Sequence, residues 1–208
     1  ILATQLRNAQ DQRWLQANLP HASAPRTFET LQLVGGMQEG LAAAKRFADF
    51  QGPHTLLLVG QTGSGKSHLL EAIGRQILNT TGWKVRYEVA MAFLDRLRST
   101  FNDGSEEDIT SLLNWYQVRK VVLLDDLGTR AEKDWAIERL TAFLDERMRM
   151  GWWTAIATNL VMDEMAEALG DRMASRLFQD NPQLGEVARA TVMAPDYRMA
   201  GANTGVRL

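Results

Sequence analysis

Eight consecutive residues, Gly60-Gln61-Thr62-Gly63-Ser64-Gly65-Lys66-Ser67, fit the pattern G-x-x-x-x-G-K-[ST] throughout. The chemistry of such a run is narrow. Its glycines let successive backbone N–H groups turn inward around a phosphate, and the start of a helix adds the positive end of its dipole. Lys66 would reach the outer phosphates, and the Ser67 hydroxyl is of the kind that ligates Mg²⁺. His68 comes next and joins the run by position, with its ring assigned to packing rather than chemistry. The bland alternative, a glycine-rich turn with a chance Lys-Ser, should arise in roughly 1% of chains of this length. A strand directly before and a helix directly after, both expected here, remove most of that chance. The run reads as an ATP site.

Three further groups can act on a bound triphosphate. The stretch Val121-Val122-Leu123-Leu124-Asp125-Asp126 is an apolar strand ending in two carboxylates. It would deliver them to the carboxyl edge of a sheet, where ligands of open α/β sheets bind. Asp125 would hold Mg²⁺, and Asp126 would orient or deprotonate the attacking water. Taken alone, a strand followed by a solvated acidic turn is common; the pairing with the glycine run upstream favours catalysis. Thr158-Asn159 lies at the tip of another apolar strand and serves equally well as a γ-phosphate contact or as strand-end turn chemistry. Arg172 and Arg176, spaced i and i+4, share one helix face. An arginine beside a neighbour's γ-phosphate accelerates hydrolysis by roughly 10³–10⁵. On composition alone, a surface ion pair with Asp171 or Asp180 is the stronger reading.

The elements that must position these groups alternate in the βα manner. A polar helix is expected over 1–19, ended by Pro20, and another over 36–50. Strands are expected at 55–59, 83–89, 120–124, 152–157 and 187–194. The helices between them are expected at 66–79, 90–101, 106–117 (with a Ser105–Asp108 capping box), 132–150, 162–169 and 171–179. This order implies a mostly parallel sheet covered on both faces. Domain limits are drawn as 1–25 for an N-terminal helix and linker, 26–195 for the catalytic domain, and 196–208 for a mobile tail. The chain has 208 residues, a natural size for one α/β domain. The formal net charge of −2 means that any positive surface for DNA must be local or pooled across subunits. The absence of cysteine excludes disulfides and thiolate chemistry. No apolar run approaches the roughly 18–20 residues that span a bilayer, so no membrane association and a cytoplasmic address are expected.

With these residues in view, the chain resembles the DnaC/IstB/DnaI-type AAA+ ATPases, related to the initiator DnaA. The resemblance covers most of residues 26–198 and rests on RTFETL, GQTGSGKSHLL, VVLLDDLG, IATNL and LGDRMASRL, in that order. It implies a P-loop α/β fold with a five-stranded parallel sheet, helices on both faces and no C-terminal lid domain. It also implies that Asn159 is the first sensor, and that Arg176 is an arginine finger acting in trans within a homo-oligomer, with Arg172 as its companion. A helix after the second strand lines a DNA channel in the initiators, which points to Arg96 and Arg98 on that helix and Arg86 on the strand before it. A solvated helix face explains each of these arginines singly as well.

The function expected on this basis is Mg²⁺-dependent ATP hydrolysis coupled to DNA, most simply the loading of a replicative helicase onto single-stranded DNA. A transposition helper that assembles on duplex DNA and recruits a transposase uses the same motifs. From other classes, a P-loop kinase of a small metabolite or a slow, nucleotide-gated binding module shares the same cradle.

Overall fold

The computed structural model describes residues 12–20, 25–100, 109–128 and 134–195. The expected tail after Pro195, the first part of helix 1–19 and the Ser105–Asp108 capping box lie outside the described residues.

Five strands, β1 (Thr55–Val59), β2 (Val85–Val89), β3 (Val121–Leu127), β4 (Trp153–Thr158) and β5 (Val187–Thr191), form one sheet in the order β2-β3-β4-β1-β5. Every neighbouring pair is parallel. The three central strands are almost wholly apolar because both their faces are covered. Side chains alternate between the two sides. Leu56, Leu58, Val121, Leu123, Ala155 and Ala157 pack into one core, under the helices α2 (Gln38–Ala48) and α3 (Lys66–Thr80). Leu57, Val122, Leu124 and Ile156 pack into the other. That second core is closed by α4 (Ala90–Ser99), α5 (Ile109–Gln117), α6 (Asp134–Arg149), α7 (Met162–Leu169) and α8 (Asp171–Phe178).

The N-terminal helix, α1, is helical over 12–17 and ends at Asn18, whose φ of 56° turns the chain before Pro20. Ala17 and Leu19 enter the first core beside α3. β2 begins two residues later than expected. Trp83 turns instead onto Phe50, with ring centroids 4.4 Å apart.

β3 differs from expectation in a way that matters. The expected strand, 120–124, stopped before the acids; the strand runs through both of them to Leu127. Pairing with β4 moves from Leu124↔Ile156 to Leu127↔Thr158, one extra residue on β3. Such a bulge bends the strand and re-aims its side chains. Asp126 takes up the bulge with a left-handed φ of 59°. Pairing resumes because Leu127 is buried and its carbonyl accepts the Thr158 hydroxyl at 2.8 Å.

Candidate nucleotide site

β1 stops at Val59 and the chain enters the glycine run at the carboxyl edge of the sheet. Gly60 must be glycine: a Cβ there would lie 2.1 Å from the Val192 carbonyl oxygen, backbone against backbone. Gly65 has φ +101° and a Cβ would meet the Met37 methyl at 2.6 Å. A left-handed residue at the N-cap of α3 turns the loop sharply into the helix. Thr158, at the tip of β4, sits between the two halves of the site. Its carbonyl accepts the Gly60 N–H at 3.2 Å, and its hydroxyl donates to Leu127 on β3. One strand end thus sets the spacing between the loop after β1 and the acids on β3.

A cleft of about 320 Å³ opens at this edge, lined by Thr62, Gly63, Gly65, Lys66, Ser67, His68, Asp125 and Asp126, with Arg26 and Val89 completing the wall. Lys66 is nearly buried, and its ammonium donates to the Gly60 and Gln61 carbonyls at 2.7 and 2.8 Å. Burial lowers its pKa, while Asp125 and Asp126 pull it back up. The Ser64 hydroxyl is buried with no hydrogen-bond partner, an orphan a phosphate-binding loop can use. Asp125 is 6% exposed and accepts the Tyr87 hydroxyl at 2.5 Å. Burial, then the nearby Asp125 carboxylate, raise the Tyr87 pKa, so the phenol remains a donor. Asp126, one residue on, is exposed. The bulge therefore splits the pair into one sequestered carboxylate and one facing outward.

These residues fit a magnesium-bound nucleotide. Gly60 and Gly65 have no space for a side chain, so the loop keeps its tight path, and Ser67 and Asp125 present a hydroxyl and a carboxylate to the same cleft. His68 works differently from a ligand: its Nε2 donates to the Thr27 carbonyl at 2.8 Å. Burial lowers its pKa, the Thr27 bond opposes that, and Arg26 adds to it. The ring is a latch onto the first segment of the domain.

Other expected residues stand apart from the cleft. Asn159 follows β4 directly, and its Oδ1 is buried without a partner. Arg172 and Arg176 share a face of α8, as their spacing predicts, and both pair with Asp145 of α6, at 2.6 and 2.8 Å. Asp171 and Asp180 were the partners expected for an ion pair, but Asp180 instead holds Arg189. Arg86 donates to Glu88 and to the Gln16 carbonyl and keeps only 14% of its side chain exposed. Its guanidinium lies 4.9 Å from the Trp115 ring, with that of Arg96 at 5.2 Å and that of Arg119 at 3.3 Å. Arg98 pairs with Asp95 on its own helix. Residues the sequence did not single out for the site are Arg26, Tyr87 and Asp145. Only the path of residues 25–31, the pairing of β2 with β3 and the packing of α8 on α6, respectively, bring them in.

A family model described as IstB-like ATP binding protein matches residues 6–180. The chain belongs to this family. The IstB-like chain is 30% identical over 177 residues to the chromosomal replication initiator protein DnaA of Neisseria meningitidis, covering 82% of this chain and 32% of that protein. It is 27% identical over 149 residues to the replicative helicase loader DnaC of Escherichia coli K12, covering 70% of this chain and 60% of that one. It thus spans about a third of one relative and three fifths of the other. Among solved structures, the crystal structure of the DnaC helicase loader superposes with a TM-score of 0.66 at 21% identity, covering 79% of this chain and 96% of that one. That likeness supports the AAA+ P-loop fold, and the sheet order and site geometry above agree with it. Among the described residues, no helix is long and apolar enough to cross a membrane.

Proposed function

We propose that the IstB-like chain is a subunit of a Mg²⁺-dependent ATPase that assembles around its nucleotide sites and acts on DNA in the cytoplasm. The observation that carries this reading is the meeting of Lys66, Ser67, Asp125 and Asp126 in one cleft. Lys66 exchanges its two loop carbonyls for the outer phosphates. Ser67 and Asp125 would hold Mg²⁺, which would supply the positive charge that neutralises the phosphates. Asp126 accepts the proton of the attacking water as its oxygen bonds to the γ-phosphorus and the bridge to the β-phosphate breaks, leaving ADP and phosphate. Asn159, which follows β4 and does not line the cleft as it stands, turns to the γ-phosphate when nucleotide is bound.

Arg176, with Arg172 beside it, enters the site of a neighbouring copy. The exposed Arg172–Asp145 pair opposes this by only about 0–1 kcal/mol, whereas the Arg176–Asp145 pair is mostly covered and is the contact a neighbour's nucleotide must displace. Arg96 and Arg98 of α4 supply sequence-independent phosphate contacts. Arg86 is a supporting residue for that helix rather than a contact, given its pairing with Glu88. The role is loading a replicative helicase onto single-stranded DNA, with residues 1–25 facing the helicase, 26–195 as the motor and 196–208 as the tail. Likeness to a replicative helicase loader supports it.

A second reading, a transposition helper on duplex DNA, rests on the IstB resemblance that the family model shares. Sedimentation with ATP and either single-stranded or duplex DNA, beside Arg176→Ala, separates the two. ATP-dependent assembly on single strands that fails in the variant supports loading. Assembly on duplex supports the helper. A monomer under every condition refutes both.

A further inference from the structure

Arg26 lies on the segment 25–31, at the very start of the motor and ahead of its first strand, and it lines the nucleotide cleft. Its Nη1 donates to Glu71 Oε1 at 2.6 Å. Glu71 is wholly buried and sits on α3 four residues after Ser67, hence on the same helix face. The next residue, Thr27, gives its carbonyl to His68. Two successive residues of the segment are thus fastened to the helix whose first turn cradles the phosphates. The guanidinium has five N–H donors in a fixed fork, and the bond to Glu71 uses one of them. Half of the Arg26 side chain is exposed. Glu71 therefore acts as a buried anchor that holds a cation at the cleft wall with donors to spare. A neutral spacer would have served if the segment needed only to be packed.

We infer that Arg26 is a nucleotide-binding residue, donating to an anionic oxygen of the bound polyphosphate, and that residues 25–31 form a strap whose docking and nucleotide binding are one linked equilibrium. This rests on the cleft being an ATP site. The linkage is reciprocal: if ATP tightens the strap tenfold, releasing the strap weakens ATP tenfold. The strap also leads back to α1. Arg75, one turn along α3 from Glu71, donates to the Pro20 carbonyl at 2.9 Å, and Leu19 is buried beside it. A partner that draws the N-terminal segment away would thereby loosen the nucleotide, with no contact to the cleft of its own.

The test uses the whole chain and a fluorescent ATP analogue with Mg²⁺. Arg26→Ala alone strands the Glu71 carboxylate, so the paired variant Arg26→Ala/Glu71→Gln is run beside it, with Arg26→Lys as the conservative change. The expected result is roughly tenfold weaker binding in the paired variant, the size of one charge-assisted hydrogen bond, and partial recovery in Arg26→Lys. Amide exchange over residues 26–31 should slow when the wild type binds the analogue and not in the paired variant. Wild-type binding with an unchanged affinity in the paired variant, or exchange over 26–31 indifferent to nucleotide, overturns the inference. Failure of the wild type itself to bind would instead overturn the ATP site.

Discussion

Replacing Tyr87 with Phe removes one atom and tests the metal side of the site. The phenol donates to Asp125 at 2.5 Å, and the receiving carboxylate is 6% exposed. Water cannot readily replace the lost donor. Hydrogen bonds to charged groups contribute about 1.5–3 kcal/mol, so a loss of about 2 kcal/mol is expected without nucleotide. In a chain of 208 residues, each kcal/mol moves the melting temperature by about 2–4 °C, so Tyr87→Phe should melt roughly 4–8 °C lower. The second half of the prediction is that saturating Mg²⁺ and ATP narrow the gap, because Asp125 then has a cation to face. Calorimetry of both proteins, with and without Mg²⁺-ATP, reads both numbers. Melting within about 1 °C of the wild type would refute the hydrogen bond as a stabilising contact. A deficit that Mg²⁺-ATP leaves unchanged would refute Asp125 as the residue facing the metal.

Glu71→Gln tests the buried anchor through pH. Burial raises the Glu71 pKa above its unfolded value, with Arg26 opposing and Asp125 reinforcing the rise. The folded state then binds the extra proton between the two values, so the wild type loses stability as pH rises through that window. The variant has no such loss: it should gain on the wild type in melting temperature between pH 4 and pH 7, and a flat or falling difference would contradict this. Arg147 is fully buried and donates to Thr154 Oγ1 and to the carbonyls of Trp153, Arg119 and Tyr116, and burial pushes its pKa down to about 9. Arg147→Met removes all of these donors at once and should lower stability by about 3 kcal/mol in denaturant titration. Gly60→Ala drives a methyl into the Val192 carbonyl; β1–β5 pairing and ATP-analogue binding should both weaken, with about 1–3 kcal/mol lost from stability.

How far the site was legible depended on the distance over which it is assembled. The glycine run was readable because its parts are adjacent and because strand β1 and helix α3 flank it without a gap. The strands with continuous apolar runs, β1, β3 and β4, were placed to within a residue or two at their starts, since burial on both faces leaves a strong local pattern. The end of β3 was not, because a bulge adds one residue without altering composition; only the register against β4 reveals it. Arg26, Tyr87 and Arg176 meet Glu71, Asp125 and Asp145 across 45, 38 and 31 residues. No periodicity encodes such pairs. For Arg172 and Arg176, their common face was predictable from i, i+4 spacing, but their partner was a matter of how α8 packs on α6.

The charges of the cleft and of α8 bear on why the site would recruit a neighbour. Within the lining, Lys66 and Arg26 are matched by Asp125 and Asp126, so the wall is close to neutral. A triphosphate brings more negative charge than one divalent cation cancels, and the cleft then has a surplus that only an outside cation can relieve. On α8, Arg172 and Arg176 lie together on one face against Asp145, and Asp171 at the start of the helix balances the count, so what the helix offers is two guanidiniums gathered on one face rather than a net charge. On the proposed reading, this guanidinium pair would meet the nucleotide-filled cleft of a neighbouring copy, a head-to-tail contact favoured once nucleotide is bound. Assembly of that kind would depend on nucleotide through charge alone, without any change of fold.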